Sequence, residues 1–246
     1  MHPFAQTNIQ LINQLRRDGY SSAEIGSVLS SYELSIHLFT GLFRASGKTF
    51  IAHVVGTASV LGSLRVPSKL VSAGLIHAAY THGDFGNGEK GISDAKRNQV
   101  RSVVGNEVED YVAKFTALRW NEDVISAIHD SLGLLDPVGR DVLLMRLANE
   151  LEEYLDLGIL YCGDEKRQQA NYINRNGQLM TQMAEKLGFP ALAATLEQAF
   201  KEAAVADLPP TLRRPHDQND SFLVAPKLYQ RMVEAVSSRL AGARRS

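Results

Sequence analysis

The chain has a single cysteine, Cys162, so no internal disulfide can form and a reducing compartment, by default the cytoplasm, is expected. It has no long hydrophobic run: nothing approaches the roughly 18–20 consecutive apolar residues of a spanning helix, so no membrane partner is expected. Charge of one sign is missing as well. Lys+Arg 26 stands against Asp+Glu 27, a near-balance that gives no reason to expect general nucleic-acid binding. Met1 to Asn13 lacks a basic segment followed by an apolar core and does not read as a secretory leader. Strand-like alternation is nearly absent, and there is no internal repeat or sustained heptad.

What is present is helical periodicity over 246 residues that are 44% hydrophobic and 22% charged, enough for a real core. Ile9, Ile12 and Leu15 share one face of a first helix that Gly19 ends. Ser21 and Glu24 form a capping-box pattern for a second helix running towards Phe43. Thr49 starts a third, with Ile51, Val55, Ala58 and Leu61 to Leu64 inward, and Pro67 suits the first turn of a fourth that carries Leu70, Ala73, Gly74, Ile76 and His77. Gly83 to Gly88 is a loop, helices resume near Ser93 and pause at Gly105, and Asp136-Pro137 opens a long helix ending near Gly158. Two further helices are predicted over about Glu165–Leu187 and Pro190–Ala206, then an extended segment Leu208 to Ser221 and a terminal helix about Ala225–Leu240. The expected fold is all-α, with one helical domain over 1–206 and residues 207–246 packing on it.

Chemistry concentrates in Arg44-Ala45-Ser46-Gly47-Lys48-Thr49-Phe50-Ile51-Ala52-His53, then Ala73-Gly74-Leu75-Ile76-His77, then Arg146-Leu147-Ala148-Asn149-Glu150. These runs resemble the hydrolase domain of the RelA/SpoT family, HD-superfamily enzymes that remove the 3′ pyrophosphate of guanosine tetraphosphate. Arg44, Ser46, Gly47, Ile51 and His53 match that family's first element. The 24 positions from 53 to 77 suit the second, Gly105 to Leu118 follows the third in outline, and Leu147-Ala148 the fourth. The resemblance spans about Leu38–Asp156. It implies an HD-domain-like helical bundle with additional C-terminal helices, in which His53, His77 and Asn149 converge on one cavity with Arg44 beside an anionic ligand.

The family's metal is held by two His and two Asp. The matching residues here are His53, His77, Ala78 and Asn149, and its catalytic Glu-Asp pair falls near Thr81-His82. Alanine offers no ligand and asparagine only a neutral oxygen. Three readings stay open: a rearranged site for a divalent transition metal drawing on His53, His77, His82 and Asp84; a metal-free polar pocket; and histidines kept as core.

Tyr80, three past His77, shares its helical face and can hydrogen-bond or transfer a proton, against the alternative of a ring packed in the core. Arg97 and Arg101, spaced i,i+4, can clamp a phosphate or carboxylate, against the alternative of simple exposure. Glu150 and Glu153 lie beside the Asn149 face, although solvated surface is the plainer reading for the acidic run Glu150 to Asp156. His129-Asp130 lacks an upstream His at suitable spacing, the Gly83–Gly88 loop lacks a P-loop's lysine and strand, and Cys162 has no matched base. The predicted site therefore has His77, Tyr80, His82 and Asp84 in chemical roles and Arg44, Ser46, Arg97, Arg101, Asn149 and Glu150 for binding. The expected function is a divergent HD-like enzyme for a phosphorylated or other anionic small molecule. A silent ligand-binding relative and a helical partner-binding protein are the alternatives, and a homo-oligomer stays open.

Overall fold

The computed structural model describes residues 4–86, 88–161, 176–206, 209, 211 and 221–224. The helices run α1 (Asn8–Arg17), α2 (Ser22–Phe39), α3 (Phe50–Ser63), α4 (Ser68–Ile76), α5 (Ala79–His82), α6 (Asp94–Val104), α7 (Asn106–Ala117), α8 (Glu122–Ser131) and α9 (Pro137–Leu155). Helical residues 176–186 (α10) and Pro190–Val205 (α11) follow. Short 3₁₀ turns lie at Leu132–Leu134 and Gly158–Tyr161. Strands β1 (Leu42–Phe43) and β2 (Phe222–Leu223) pair antiparallel, with the Phe43 and Phe222 rings stacked at 5.3 Å. The expected all-α class is what the chain adopts.

Local chemistry sets the helix starts. Ser21 and Glu24 make the anticipated reciprocal cap of α2, and Thr7 with Gln10 makes another on α1. Thr49, Ser93 and Asp136 accept from the third residue of α3, α6 and α9. Gly105, at φ 83, breaks α6 from α7 in a conformation that a side chain disfavours.

Helix α3 is the centre. From His53 to Gly62 it is buried on every side, as a helix surrounded by others must be. It packs against α1, α2, α4 and α9, while α4 packs against α2 and α7. Helices α3 and α4 meet closely at Gly74, where a Cβ would lie 2.7 Å from Leu61 Cδ1. Helix α9 closes the bundle over α3 and receives α11 on its far side.

Several sequence expectations need correction. Leu11, Gln14 and Leu15 form the buried face of α1, whereas Ile9 is 66% exposed. The buried Gln14 amide donates to Ser59 O at 2.9 Å, so a polar contact aligns this helix. Helix α2 stops at Phe39, before Gly41 at φ 81 and the ribbon. Pro67 is the residue before α4 rather than its first turn. Helix α8 was not anticipated, although Asn121 caps it and Ile125 and Ile128, three apart, both pack on the core. The predicted stretch 165–175, most of Leu208 to Ser221, the terminal helix Ala225–Leu240 and Cys162 lie outside the described residues.

Candidate functional site

The turn Arg44–Lys48 is built by Gly47 at φ 88 and by backbone bonds Arg44 N to Lys48 O and Gly47 N to Arg44 O, each 2.8 Å. It delivers two cations to the end of α9. Arg44 pairs with Glu153, while Lys48 pairs with Glu152 and, at 2.7 Å, with Asp156. Ser46 lies beside Gly158 at the same end.

Inside that rim, His53 from α3 and His77 at the end of α4 meet edge to face with ring centroids 5.2 Å apart, and both are buried. Asn149 is buried on α9, the helix that packs on both α3 and α4. The expected convergence of the two histidines is observed. His77 Nδ1 donates to Gly74 O at 2.8 Å, which leaves the lone pair on Nε2. His53 Nδ1 hydrogen-bonds Glu152 Oε2, and its Nε2 is buried with no partner among the described residues. Burial, joined by the nearby Arg44 charge, holds the His53 pKa well below its ordinary value. Burial, with His53 next, pushes His77 down to about 3. Burial also raises Glu152 to about 7, against the pull of Lys48.

The arms of this site are aromatic and cationic. Phe50 carries Arg44 over its ring at 5.4 Å, His82 at 5.0 Å and His53 edge-on at 5.6 Å. Phe115 of α7 meets His77 at 5.0 Å, and Arg146 of α9 stands 5.7 Å from Phe115 and 5.1 Å from Trp120. Arg146 also pairs with Glu150, whose pKa burial raises.

Other candidates go elsewhere. The helix breaks at His77-Ala78, so Tyr80 leaves the His77 face and donates to Glu109 Oε1 at 2.8 Å. Arg97 grips both Glu109 oxygens at 2.7 and 3.0 Å, and Arg101 adds a bond at 2.8 Å. The anticipated carboxylate clamp exists, on the chain's own buried Glu109. Burial alone would raise the pKa of that carboxyl; the bonds from Arg97, Tyr80 and Arg101 outweigh it and hold it low. Asp84 is exposed and caps the backbone N–H of Gly86 at 2.8 Å. The His129-Asp130 pair lies on α8, where His129 also meets Lys186 at 2.8 Å.

Sequence reasoning placed the acidic run of α9 at the surface, yet Glu152 is 2% exposed and touches His53 directly. Its spacing of three from Asn149 was the available signal, since i and i+3 share a helical face. Lys48, Trp120 and Glu109 were also unassigned.

The resemblance implies a divalent metal, and the donors do not fit one. The matching positions supply two imidazoles, an amide and a methyl, and the nearest carboxylate, Glu152, is engaged by His53 and Lys48. Among the described residues, no group of three or more His, Cys, Asp or Glu is arranged to hold a metal ion. Among those residues, too, no helix is long and apolar enough to cross a membrane.

Comparisons with known proteins bear on this frame. A family described as "Domain of unknown function (DUF6817)" matches residues 37–119. Two curated sequences, both named "Putative GTP diphosphokinase RSH1, chloroplastic" from Arabidopsis thaliana, are 25% identical over 178 residues. That alignment takes 71% of this chain but 20% of the relatives' length. A solved structure described as a metazoan ortholog of SpoT that hydrolyzes ppGpp superimposes with a TM-score of 0.52 at 14% identity. The match covers 76% of this chain and 99% of that one. The fold is an all-α, HD-domain-like helical bundle.

Proposed function

We propose that this chain is a divergent HD-like enzyme that acts on a phosphorylated or other anionic small molecule through acid–base chemistry at His53, rather than through manganese-dependent hydrolysis of guanosine tetraphosphate. The observation that carries the reading is the buried His53 ring, fixed by Glu152 at Nδ1 and, among the described residues, unpartnered at Nε2. A core histidine has no need of a carboxylate on one nitrogen and nothing on the other, because an unmet buried polar atom costs stability.

The base is the pair rather than either residue. His53 Nε2 takes a proton from a water or substrate hydroxyl as its oxygen bonds to the electrophilic centre. The Nδ1 proton passes to Glu152, the imidazole stays neutral, and the proton returns to the leaving group. Glu152, raised to about 7, places that exchange near neutral pH, where general bases work best. Arg44 at the rim supplies positive charge for an anionic substrate.

The test is turnover of a panel of phosphate esters with EDTA present, by the wild-type chain and by His53→Gln. Turnover that survives EDTA and disappears in a folded His53→Gln supports the reading; no turnover across the panel sinks it. A silent ligand-binding role is the second reading. In either, an incoming anion competes with the carboxylates that pair Arg44, Lys48 and Arg146. Anion binding without turnover would select the silent role.

A further inference from the structure

Two buried hydrogen-bond donors across Phe115 from His77 have nothing to donate to among the described residues: Nε of Arg146 and Nε1 of Trp120. They belong to groups in direct contact, the guanidinium lying 5.1 Å over the indole ring. Glu150 engages the other end of the guanidinium through Nη2 and leaves Nε unused. Both nitrogens can only donate, since neither Arg nor Trp offers an acceptor there. The contacts continue without a gap through Phe115 and His77 to His53.

We infer that Trp120 and Arg146 form an oxyanion subsite of the His53 pocket, taking a phosphate or carboxylate oxygen of the ligand while His53 Nε2 faces a hydroxyl of the same molecule. The inference rests on the reading of that pocket as a ligand site. Its physical basis is complementarity. Two N–H donors at one end, on groups whose charge Glu150 already meets through Nη2, call for an acceptor oxygen, and a lone pair at the other end calls for a donor. The aromatic walls serve the charge as well. Phe115 and Trp120 shield part of the guanidinium from water, which strengthens its attraction for an acceptor oxygen. Trp120 sits in the short connection between α7 and α8, where the cap of α8 by Asn121 begins immediately after it and fixes the backbone. That placement makes the indole a held group rather than a loose surface ring.

Trp120 is the only tryptophan in the sequence, so its emission reports on this place alone. The experiment titrates the full chain with inorganic phosphate and, separately, with acetate, against chloride at matched ionic strength. Tryptophan emission follows the wild type, and calorimetry follows wild type, Trp120→Phe and Arg146→Lys. A saturable emission change with either anion is expected, and the anion that produces it tells phosphate from carboxylate. Trp120→Phe keeps an aromatic ring over the guanidinium and loses the N–H, and should weaken binding about tenfold, the effect of one lost hydrogen bond to a charged group. Arg146→Lys keeps the charge and loses the Nε donor, and should weaken it by a similar factor. Emission that follows ionic strength only, or a folded Trp120→Phe that binds as tightly as wild type, overturns the subsite. Binding with no turnover counts against the catalytic reading alone; turnover unaffected by Trp120→Phe counts against the subsite alone.

Discussion

Glu152 crosses Gly56 so closely that a Cβ on Gly56 would lie 2.6 Å from Glu152 Cγ and 2.7 Å from its Oε1. Helix α3 therefore leaves a slot through which the α9 carboxylate reaches His53. Gly56→Ala should destabilise by about 1–3 kcal/mol, the usual cost of forcing a methyl into packed space. Gly26 on α2 is the control. It is an exposed helical glycine with nothing among the described residues within 4 Å of a Cβ, so Gly26→Ala should stabilise by ~0.5–1 kcal/mol. Denaturant midpoints of the two variants moving in the same direction would contradict the slot.

His77 gives the protein an acid sensitivity of definite sign. Its pKa falls from 6.5 in the unfolded chain to about 3 in the folded one. Between those values the unfolded state holds more protons, so folding stability drops as pH falls below 6.5. The slope attributable to one such group approaches ~1.36 kcal/mol per pH unit. The stability difference between wild type and His77→Gln should therefore narrow from pH 7 to pH 5. A difference that stays constant would show that His77 does not titrate this way.

Lys48 works in the opposite sense on Glu152. Its charge lowers a pKa that burial has raised to about 7. Lys48→Met should push Glu152 higher still. Any activity that needs the ionised carboxylate should shift its lower limb to higher pH by the same amount. Side-chain carbon NMR of Glu152 against pH, in both proteins, measures the shift directly.

Glu109 predicts a separation between stability and function. Glu109→Ala should cost roughly 3 kcal/mol, the low end for breaking a buried ion pair, because Arg97 and Arg101 are partly exposed and can turn to water. Tyr80→Phe should cost ~1 kcal/mol, one net hydrogen bond. Ligand affinity at His53 should be unchanged in Tyr80→Phe. A loss of affinity without a loss of stability would return Tyr80 to the site.

The fold was legible because its signals are local. The caps at Ser21, Thr49, Ser93 and Asp136 and the break at Gly105 all depend on a few neighbouring residues. The pairing of His53 with His77 was legible through the family resemblance of the runs that carry them. What spacing could not convey is direction after a helix break. Tyr80 shares a face with His77 only if one helix runs through both, and the chain turns at Ala78 instead. Charge reads poorly too. Arg97 and Arg101 pair with a residue on another helix, and a composition-based reading sends such arginines to solvent. Glu152 was hidden by its neighbours, since three glutamates within four positions resemble a surface run even when one is buried.

The loop between α5 and α6 is tied at its neck and open at its tip. Gly91 N donates to Tyr80 O at 2.8 Å, and Lys96 Nζ holds the carbonyls of Glu89 and Gly91 at 2.7 and 3.1 Å. Tyr80 before the loop and Arg97 after it end on the same carboxylate. Among the described residues, nothing lies within 4 Å of a Cβ on Gly86 or Gly88 at the tip. Lengthening the tip leaves every one of those ties in place, and doubling a loop's length costs only ~0.6 kcal/mol in closure entropy. This is therefore the position at which the lineage can experiment: new segments inserted at Gly86–Gly88 can be tried and discarded while the bundle that carries the histidines is inherited intact.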